Sequence, residues 1–385
     1  MAETGRFQEA RIEEITSNDP RAIAIGPFGS ALKSDQYTAI GVPVLRGQDI
    51  TVGDELNRDG RVFVPEYVAA KFPACRVSKG DLVFPHRGAI GRVGIVGDED
   101  WLMSSSMMKL SVDRERFDPK YVFYYFRGPG KRQLLERAST VGTPGIGQPL
   151  ASLKSVVIRY PELKQQRAIA EVLGALDDKI AANSRLTDTS RSLAKAEWER
   201  AKNHNVEYVR LRDVATLNYG KSLPAKRRVA GGVQVVGSGG VTGTHNQALV
   251  AEAGIVVGRK GTAGAVHWLH GPHFPIDTTF FVTPTAGLTS HFLYYELTSM
   301  RLTEMNSDSA VPGLNREEAY AAPVRHPDQS SLRRFNEVVP VLFDLFAQVE
   351  AESLSLATTR DALLPLLMSG KVTVTDAETI VEEAL

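Results

Sequence analysis

The sequence predicts an α+β protein: two strand-rich globular domains separated by two long antiparallel helices, with pseudo-two-fold symmetry. Three observations carry this. A motif recurs half a chain apart, as GDLVFPHRGAIGRVGIV from Gly80 and AGIVVGRKGTAGAVHWL from Ala253. In both, a β-branched run stops at two polar or basic residues, a Gly-x-x-Gly turn follows, and a second apolar run closes the motif. Later landmarks repeat in the same order: FDPKYVFYYF from Phe117 with LTSHFLYYEL from Leu288, TPGIGQ from Thr143 with VPGLNR from Val311, and Pro161–Val172 with Pro327–Val338. Finally, each strand-like stretch gives way to a long segment of helical periodicity. A period near half the chain is too long for a solenoid, whose repeats span roughly 20–50 residues. It implies two copies of one domain-plus-helix unit. Proteins of that symmetry often bind something bipartite, such as duplex DNA read at two half-sites.

The elements follow in order. Residues 1–160 form the first strand-rich domain. It opens with an amphipathic lead-in near Arg6–Ser17, whose ARIEEIT is echoed by VRLRDVAT within Tyr208–Leu217. Short runs such as VPVLR, DLVFP and VGIVG lie between Gly, Pro and Asp turns and read as strands. Phe117–Arg137 reads as a helix, with Asp118-Pro119 in the cap and first-turn positions.

Residues 161–205 form the first long helix. Proline is absent after Pro161, and Ile169, Leu173, Leu176 and Ile180 make one apolar stripe at spacings of 4, 3 and 4. Such a helix would extend about 60 Å at 1.5 Å per residue. Its seam continues through Asn183, Thr187 and Ser190, too polar for the helix to stand alone. The match lies in the second long helix, residues 327–370. There Leu342, Phe346, Val349, Ser353, Leu356, Arg360, Leu363 and Leu367 keep heptad spacing. An antiparallel coiled coil is expected, with Pro365 bending or ending the last turns and Ser369-Gly370 closing the helix. The second strand-rich domain spans 206–326 and is richer in glycine. Residues 371–385 are expected to be an acidic tail.

Composition bounds the class. The chain has 385 residues, 43% hydrophobic and 23% charged, which suits two or three soluble globular domains. No run of about 18 apolar residues and no basic-then-apolar leader is seen, so no membrane association is expected. The single cysteine, Cys75, cannot form an internal disulfide and is read as a packing residue in a reducing, cytoplasmic setting. A formal net charge of zero argues against nonspecific coating of nucleic acid, while Lys131-Arg132, Lys226-Arg227-Arg228 and Arg259-Lys260 leave room for local basic surfaces.

In its ordered motifs the chain resembles the specificity subunits of type I restriction-modification systems over nearly its full length. The segments that carry this are PVLRGQDI (Pro43–Ile50), GDLVFPHRGAIGRVGIV, PELKQQRAIAEVLGALDDKI, VVGSGGVTGTHN, GIVVGRKGTAGAV and ALLPLLMSGKV. The second helix departs from the pattern, with PDQSSLRRFNEV where the first has a glutamine-rich opening. The resemblance implies a DNA-reading adaptor whose two target-recognition domains each take half of an interrupted, asymmetric site. The helices would set the gap and dock two adenine-methyltransferase subunits, and a motor-nuclease subunit would join to cut unmodified DNA. No cofactor is implied on this chain. S-adenosylmethionine would sit on the methyltransferase, and ATP with magnesium on the restriction partner.

Base edges in the major groove are read by Arg or Lys on guanine and by Asn or Gln on adenine. Candidate DNA-binding residues are Arg46 and Gln48 after the first apolar strand, and His86 and Arg87 at the tip of the repeated turn. Arg259 and Lys260 hold the equivalent tip, with Thr262 beside them. Further candidates are Lys109, Thr143 within Ala138–Gln148, Lys221, Arg227, Arg228, Ser238 and Gly239. Tyr124, Tyr125, Phe126, Tyr294 and Tyr295 resemble base-stacking residues, but their helical spacing assigns them to the core. His267, His270 and His273 are not expected to hold a metal, because Gly271-Pro272 breaks any helix that would face them one way.

Enzyme motifs fail. Gly220-Lys221-Ser222 has Ala215 where a phosphate loop needs its first glycine, and no Gly-x-Ser-x-Gly elbow occurs. The Asn/Asp-Pro-Pro-aromatic element of adenine methyltransferases is missing as well. A non-catalytic subunit is therefore expected. The competing reading is a two-domain scaffold that binds no DNA.

Overall fold

The computed structural model describes residues 7–27, 31–51, 56–57, 59–139, 142, 144–204, 206–285, 287–305 and 313–384. They fall into two units, one made of the chain up to Ala181 plus the segment from Ser353 onward, the other of Ala182–Glu352. Each long helix lends its apolar face to the strand-rich parts it adjoins. Both helices form: α3, Leu163–Ala201, and α5, Gln329–Ser369. Shorter helices include α1 (Pro119–Arg127), α2 (Pro129–Leu135), α4 (Ser290–Ser299) and α6 (Val374–Ala384).

The first unit holds two four-stranded sheets. One runs Ile23–Ile25, Met107–Leu110, Leu82–Pro85, Gly94–Ile95; the other runs Val62–Val64, Val42–Leu45, Trp101–Met103, Arg76–Val77. Within the second, Val42–Leu45 and Trp101–Met103 run parallel. A separate pair, Gln8–Arg11 with Val157–Tyr160, joins the start of the domain to its end.

The second unit repeats this plan. Its four-stranded sheet is Ala215–Tyr219, Thr279–Pro284, Gly254–Gly258, Val266–Leu269, and its three-stranded sheet is Gly240–His245, Val233–Gly237, His273–Pro275. The parallel pair recurs as Val233–Gly237 with His273–Pro275, and the closing pair as Val206–Arg210 with Pro323–Pro327. The lead-ins are therefore strands followed by short helical turns. Arg11 N–H donates to Glu14 Oε2 at 2.6 Å, and Arg210 N–H to Asp213 Oδ2 at 3.2 Å, capping those turns alike.

Helix packing follows the apolar stripes. Ile169, Leu173, Leu176, Leu356, Leu363 and Leu367 enter the core of the first unit, together with Phe117, Tyr121 and Phe126. Partners on the two helices run in opposite senses: Asp177 with Arg360, Asn183 with Glu352, Arg191 with Glu350 and Glu197 with Arg334. They are antiparallel, as expected. The polar seam is real too: Asn183, Thr187 and Ser190 are buried, then Ala194 and Trp198 enter the second core.

The two helix starts differ chemically. Gln166, 1% exposed, accepts from Asp118 N–H at 3.0 Å and donates to Pro161 O at 2.9 Å, tying α3 to the cap of α1. At the corresponding place α5 has the apolar Leu332, and Asp328 caps it by accepting from the N–H groups of Ser330 and Ser331.

Some expectations change. Phe117–Arg137 is broken at Gly128-Pro129, since a proline disfavours helical backbone at the residue before it. Pro365 does not end α5. The helix runs on to Ser369 and closes through Lys371 N–H to Leu366 O at 2.9 Å, with Gly370 at φ 71°. The acidic end is a helix rather than a tail, because Ala377 and Val381 bury an apolar stripe in the first core. Tyr124, Tyr125 and Phe126 are core residues, each under 5% exposed. Cys75 is buried, which pushes its thiol pKa up. Among the described residues no helix is long and apolar enough to cross a membrane.

Candidate nucleic-acid interface

Each copy of the repeated motif folds as an antiparallel hairpin, Leu82–Pro85 with Gly94–Ile95 and Gly254–Gly258 with Val266–Leu269. The glycines of both turns hold left-handed backbone: Gly88 at φ 76°, Gly91 at 82°, Gly261 at 82° and Gly264 at 82°. That conformation suits glycine because it has no Cβ to strike the following carbonyl. The turns therefore share one shape despite different side chains.

Both turns are anchored at one address. Arg87 bridges Gly145 and Lys260 bridges Gly313 in the same antiparallel sense. Ile146 N–H donates to His86 O at 2.9 Å, and Leu314 N–H to Arg259 O at 2.9 Å. Those glycines are the ones in TPGIGQ and VPGLNR, so the landmarks paired in the sequence meet the hairpin in space. A second loop adjoins each turn. In the first unit it is Arg46-Gly47-Gln48, with the Gly47 Cα so near that an added Cβ would lie 3.3 Å from Pro85 Cβ. In the second it is Ser238-Gly239, where a Cβ on Gly258 would lie 3.1 Å from Ser238 Cβ.

The structure sorts the candidates. Gln48 and Arg87 are exposed on neighbouring loops of the first unit. In the second, Gly239, Lys260 and Thr262 are exposed together, and Ser238 O accepts from His267 Nε2 at 3.0 Å. Three expected readers are otherwise engaged. Arg46 is locked to Asp49, with Nε to Oδ2 at 3.0 Å and Nη2 to Oδ1 at 2.8 Å, bracing its own turn. His86 is 4% exposed, with Nε2 against Ser105 O at 3.0 Å; burial pushes its pKa down and removes it from any ligand surface. Lys109 is 6% exposed and donates to Arg76 O at 2.8 Å, so it ties strands together.

Lys221 and Arg227 are exposed, whereas Arg228 reaches back to Thr242 O at 2.8 Å. Thr143 lies outside the described residues. The stripe residues of the two helices expected to dock partners are packed within their own units: Ile169, Leu173, Leu176, Leu356 and Leu363 in the first core, Phe346 in the second, and Ile180 and Leu342 against them. Val349 is 6% exposed. These side chains hold the fold.

Sequence reading missed Tyr219. It stands at the end of Ala215–Tyr219, half exposed, with the Arg259 guanidinium 5.3 Å above its ring. An aromatic residue at a strand end reads as core; the only hint was its place just before the turn Gly220-Lys221-Ser222.

Two units of one topology thus each present a fixed glycine turn beside a polar loop. Residues 32–189 match the family model of the type I restriction modification DNA specificity domain. The S subunit of a type I restriction-modification system from M. genitalium is similar over 95% of this chain and 97% of its own, at 19% identity and a TM-score of 0.72. An HsdS subunit from Thermoanaerobacter tengcongensis is aligned over 95% of this chain and 97% of its own at 15% identity, with a TM-score of 0.35. No curated protein is matched. Residues 32–189 thus resemble a type I specificity domain, the whole chain shares the fold of the M. genitalium S subunit, and the likeness to specificity subunits read from the sequence holds.

Proposed function

We propose that this chain is the non-catalytic, DNA-reading subunit of a type I restriction-modification assembly. Each unit reads one half of a bipartite, asymmetric site in double-stranded DNA. The long helices set the gap and dock two adenine-methyltransferase subunits, and restriction-translocase subunits join the same assembly. The chain binds no cofactor itself: S-adenosylmethionine belongs to the methyltransferase, ATP and magnesium to the restriction partner. The assembly works in the cytoplasm.

One observation carries the reading. The same anchored turn is built twice, with the backbone kept and the tip chemistry changed, Arg87 and Gln48 in one unit against Lys260 and Thr262 in the other. A reader of two unlike half-sites needs that combination of a fixed frame and variable donors, since Arg, Lys and Gln supply the hydrogen bonds that distinguish bases.

The test is co-expression with the partner methyltransferase, followed by mapping of N6-methyladenine across the host DNA. One bipartite motif is expected. Arg87→Ala should relax one half of it and Lys260→Ala the other, each by roughly 1–3 kcal/mol of discrimination. Methylation without a bipartite motif, or DNA affinity that ignores salt, would refute the reading, because counterion release makes true DNA binding salt-dependent.

A further inference from the structure

Tyr219 is 51% exposed and is the meeting point of three elements of the second unit. Its ring rests on Phe280 at 5.0 Å between centroids. Arg259, from the hairpin turn, places its guanidinium 5.3 Å from the ring centroid, and Arg316, which opens the helix Arg316–Ala321, does so at 5.0 Å. The two arginines are brought there by the anchor already described, since Leu314 N–H donates to Arg259 O at 2.9 Å just before that helix.

Among the described residues no carboxylate lies within hydrogen-bond distance of either guanidinium. Arg259 donates from Nη2 to the carbonyl of Asp277 at 2.6 Å rather than to a carboxylate. Among the described residues the nearest carboxylate oxygen to Arg316 is Glu317 Oε1 at 3.9 Å, beyond hydrogen-bond distance, and Glu317 is already engaged by Arg212 at 3.1 Å. Two cations gathered on one ring repel each other. Stacking on the ring offsets part of that repulsion and fixes the orientation of both groups; an anion between them would remove the rest.

The first unit has no such device at this address. Leu217 pairs with Val282, which pairs with Ile255, and the matching ladder of the first unit is Ile23, Leu110 and Leu82. Counting on by two residues puts Ile25 where the second unit has Tyr219.

We propose that Arg259, Tyr219 and Arg316 form a phosphate clamp that seats the second unit on the DNA backbone without reading bases. This rests on the DNA-reading function proposed above. The chemistry favours phosphate over guanine. A bidentate guanine contact needs an unencumbered guanidinium fork aimed at O6 and N7, and Arg259 has one arm tied to Asp277 O. Phosphate oxygens accept single N–H contacts from several directions and respond to net charge. Base reading in this unit then falls to Lys260, Thr262 and the Ser238-Gly239 loop, and Arg259 is a positioning residue.

The test uses the full chain in complex with its methyltransferase. Kd is measured against NaCl concentration for a duplex carrying the mapped methylation motif and for a duplex of scrambled sequence. Arg259→Ala and Arg316→Gln should each weaken both duplexes by about tenfold and lower the salt slope by about 0.9. Tyr219→Leu should weaken both duplexes alike, while Tyr219→Phe, which keeps the ring, should match the parent. A change in the ratio of the two affinities, or in the methylated motif, would overturn the clamp in favour of base reading. Unchanged affinity in all variants, with the parent still selecting its motif, would remove the clamp and leave the DNA-reading function standing. A parent complex that binds neither duplex would end both.

Discussion

The four turn glycines offer a graded test of why the repeated hairpin looks as it does. Replacing each by alanine forces a left-handed conformation on an L-residue, costing about 1–2 kcal/mol. The less flexible unfolded chain returns about 0.4–1 kcal/mol. Beyond that shared term the surroundings decide. A Cβ on Gly88 meets no described atom within 4 Å, and one on Gly261 meets only Ser238 Oγ at 3.3 Å. On Gly91 it meets Leu135 Cδ2 at 3.0 Å, the movable end of a side chain. On Gly264 it would lie 2.3 Å from Thr303 N and 2.4 Å from Leu302 C, which is backbone and cannot rotate aside. Overpacking of that kind adds about 1–3 kcal/mol. The expected order is therefore Gly264→Ala at about 2–4 kcal/mol, Gly91→Ala intermediate, and Gly88→Ala and Gly261→Ala near 1 kcal/mol or below. Scanning calorimetry reads this as a fall in Tm of roughly 5–15 °C for Gly264→Ala and about 3 °C or less for Gly88→Ala. Equal losses at Gly88 and Gly264 would refute the claim that close backbone approach, rather than turn conformation alone, fixes the second hairpin.

Three further outcomes are expected. Lys109→Met should lower stability by about 2–4 kcal/mol in urea unfolding, by leaving the Arg76 carbonyl unpaired beside the half-matched Asp81, yet leave the methylated motif unchanged; a changed motif would return Lys109 to the reading surface. Glu296 is fully buried and accepts from Trp198 Nε1 at 2.9 Å and Arg325 N–H at 3.2 Å, so Glu296→Ala should cost about 3 kcal/mol and be visible as red-shifted tryptophan emission at low urea. Burial against Trp268 and Phe343 holds the His291 pKa down at about 4, with Asp344 opposing and His270 adding to the shift. Its unfolded value is near 6.5, so between those values the unfolded chain binds more protons and stability falls as the pH is lowered from about 6.5 towards 4. The loss attributable to this group is on the order of 2–3 kcal/mol, and His291→Phe should flatten that part of the profile in Tm measurements across pH.

What was legible in the sequence was whatever the backbone itself demands. The glycines of the repeated turn announce themselves because left-handed backbone favours them. Asp118-Pro119 marks a helix start because its cap does accept from Tyr121 N–H at 3.0 Å. The long stripes predict helices because burial follows their spacing. Side-chain direction was not legible where a strand is covered on both faces. Met107–Leu110 is buried throughout, so no alternation betrayed that Lys109 points inward. His86 follows the same strand as Arg87, and nothing in the sequence marks that its ring turns back to the carbonyl of Ser105. Arg46 resembled a reader because its partner, Asp49, stands three residues on and looked like turn chemistry. Tyr219 was invisible as a site because its function lies in two arginines far away in sequence.

The first unit draws on two segments that flank the second in sequence, whereas the second is one uninterrupted stretch from Ala182 to Glu352. Leu356, Leu363, Leu367, Ala377 and Val381 complete a core begun by Ile12 and Ile15. On a ribosome the segment up to Ala181 must therefore wait for the segment from Ser353 on, and Ala182–Glu352 is expected to consolidate ahead of both. A nascent chain arrested just before Ser353 should resist protease within 182–352 and be digested upstream of it.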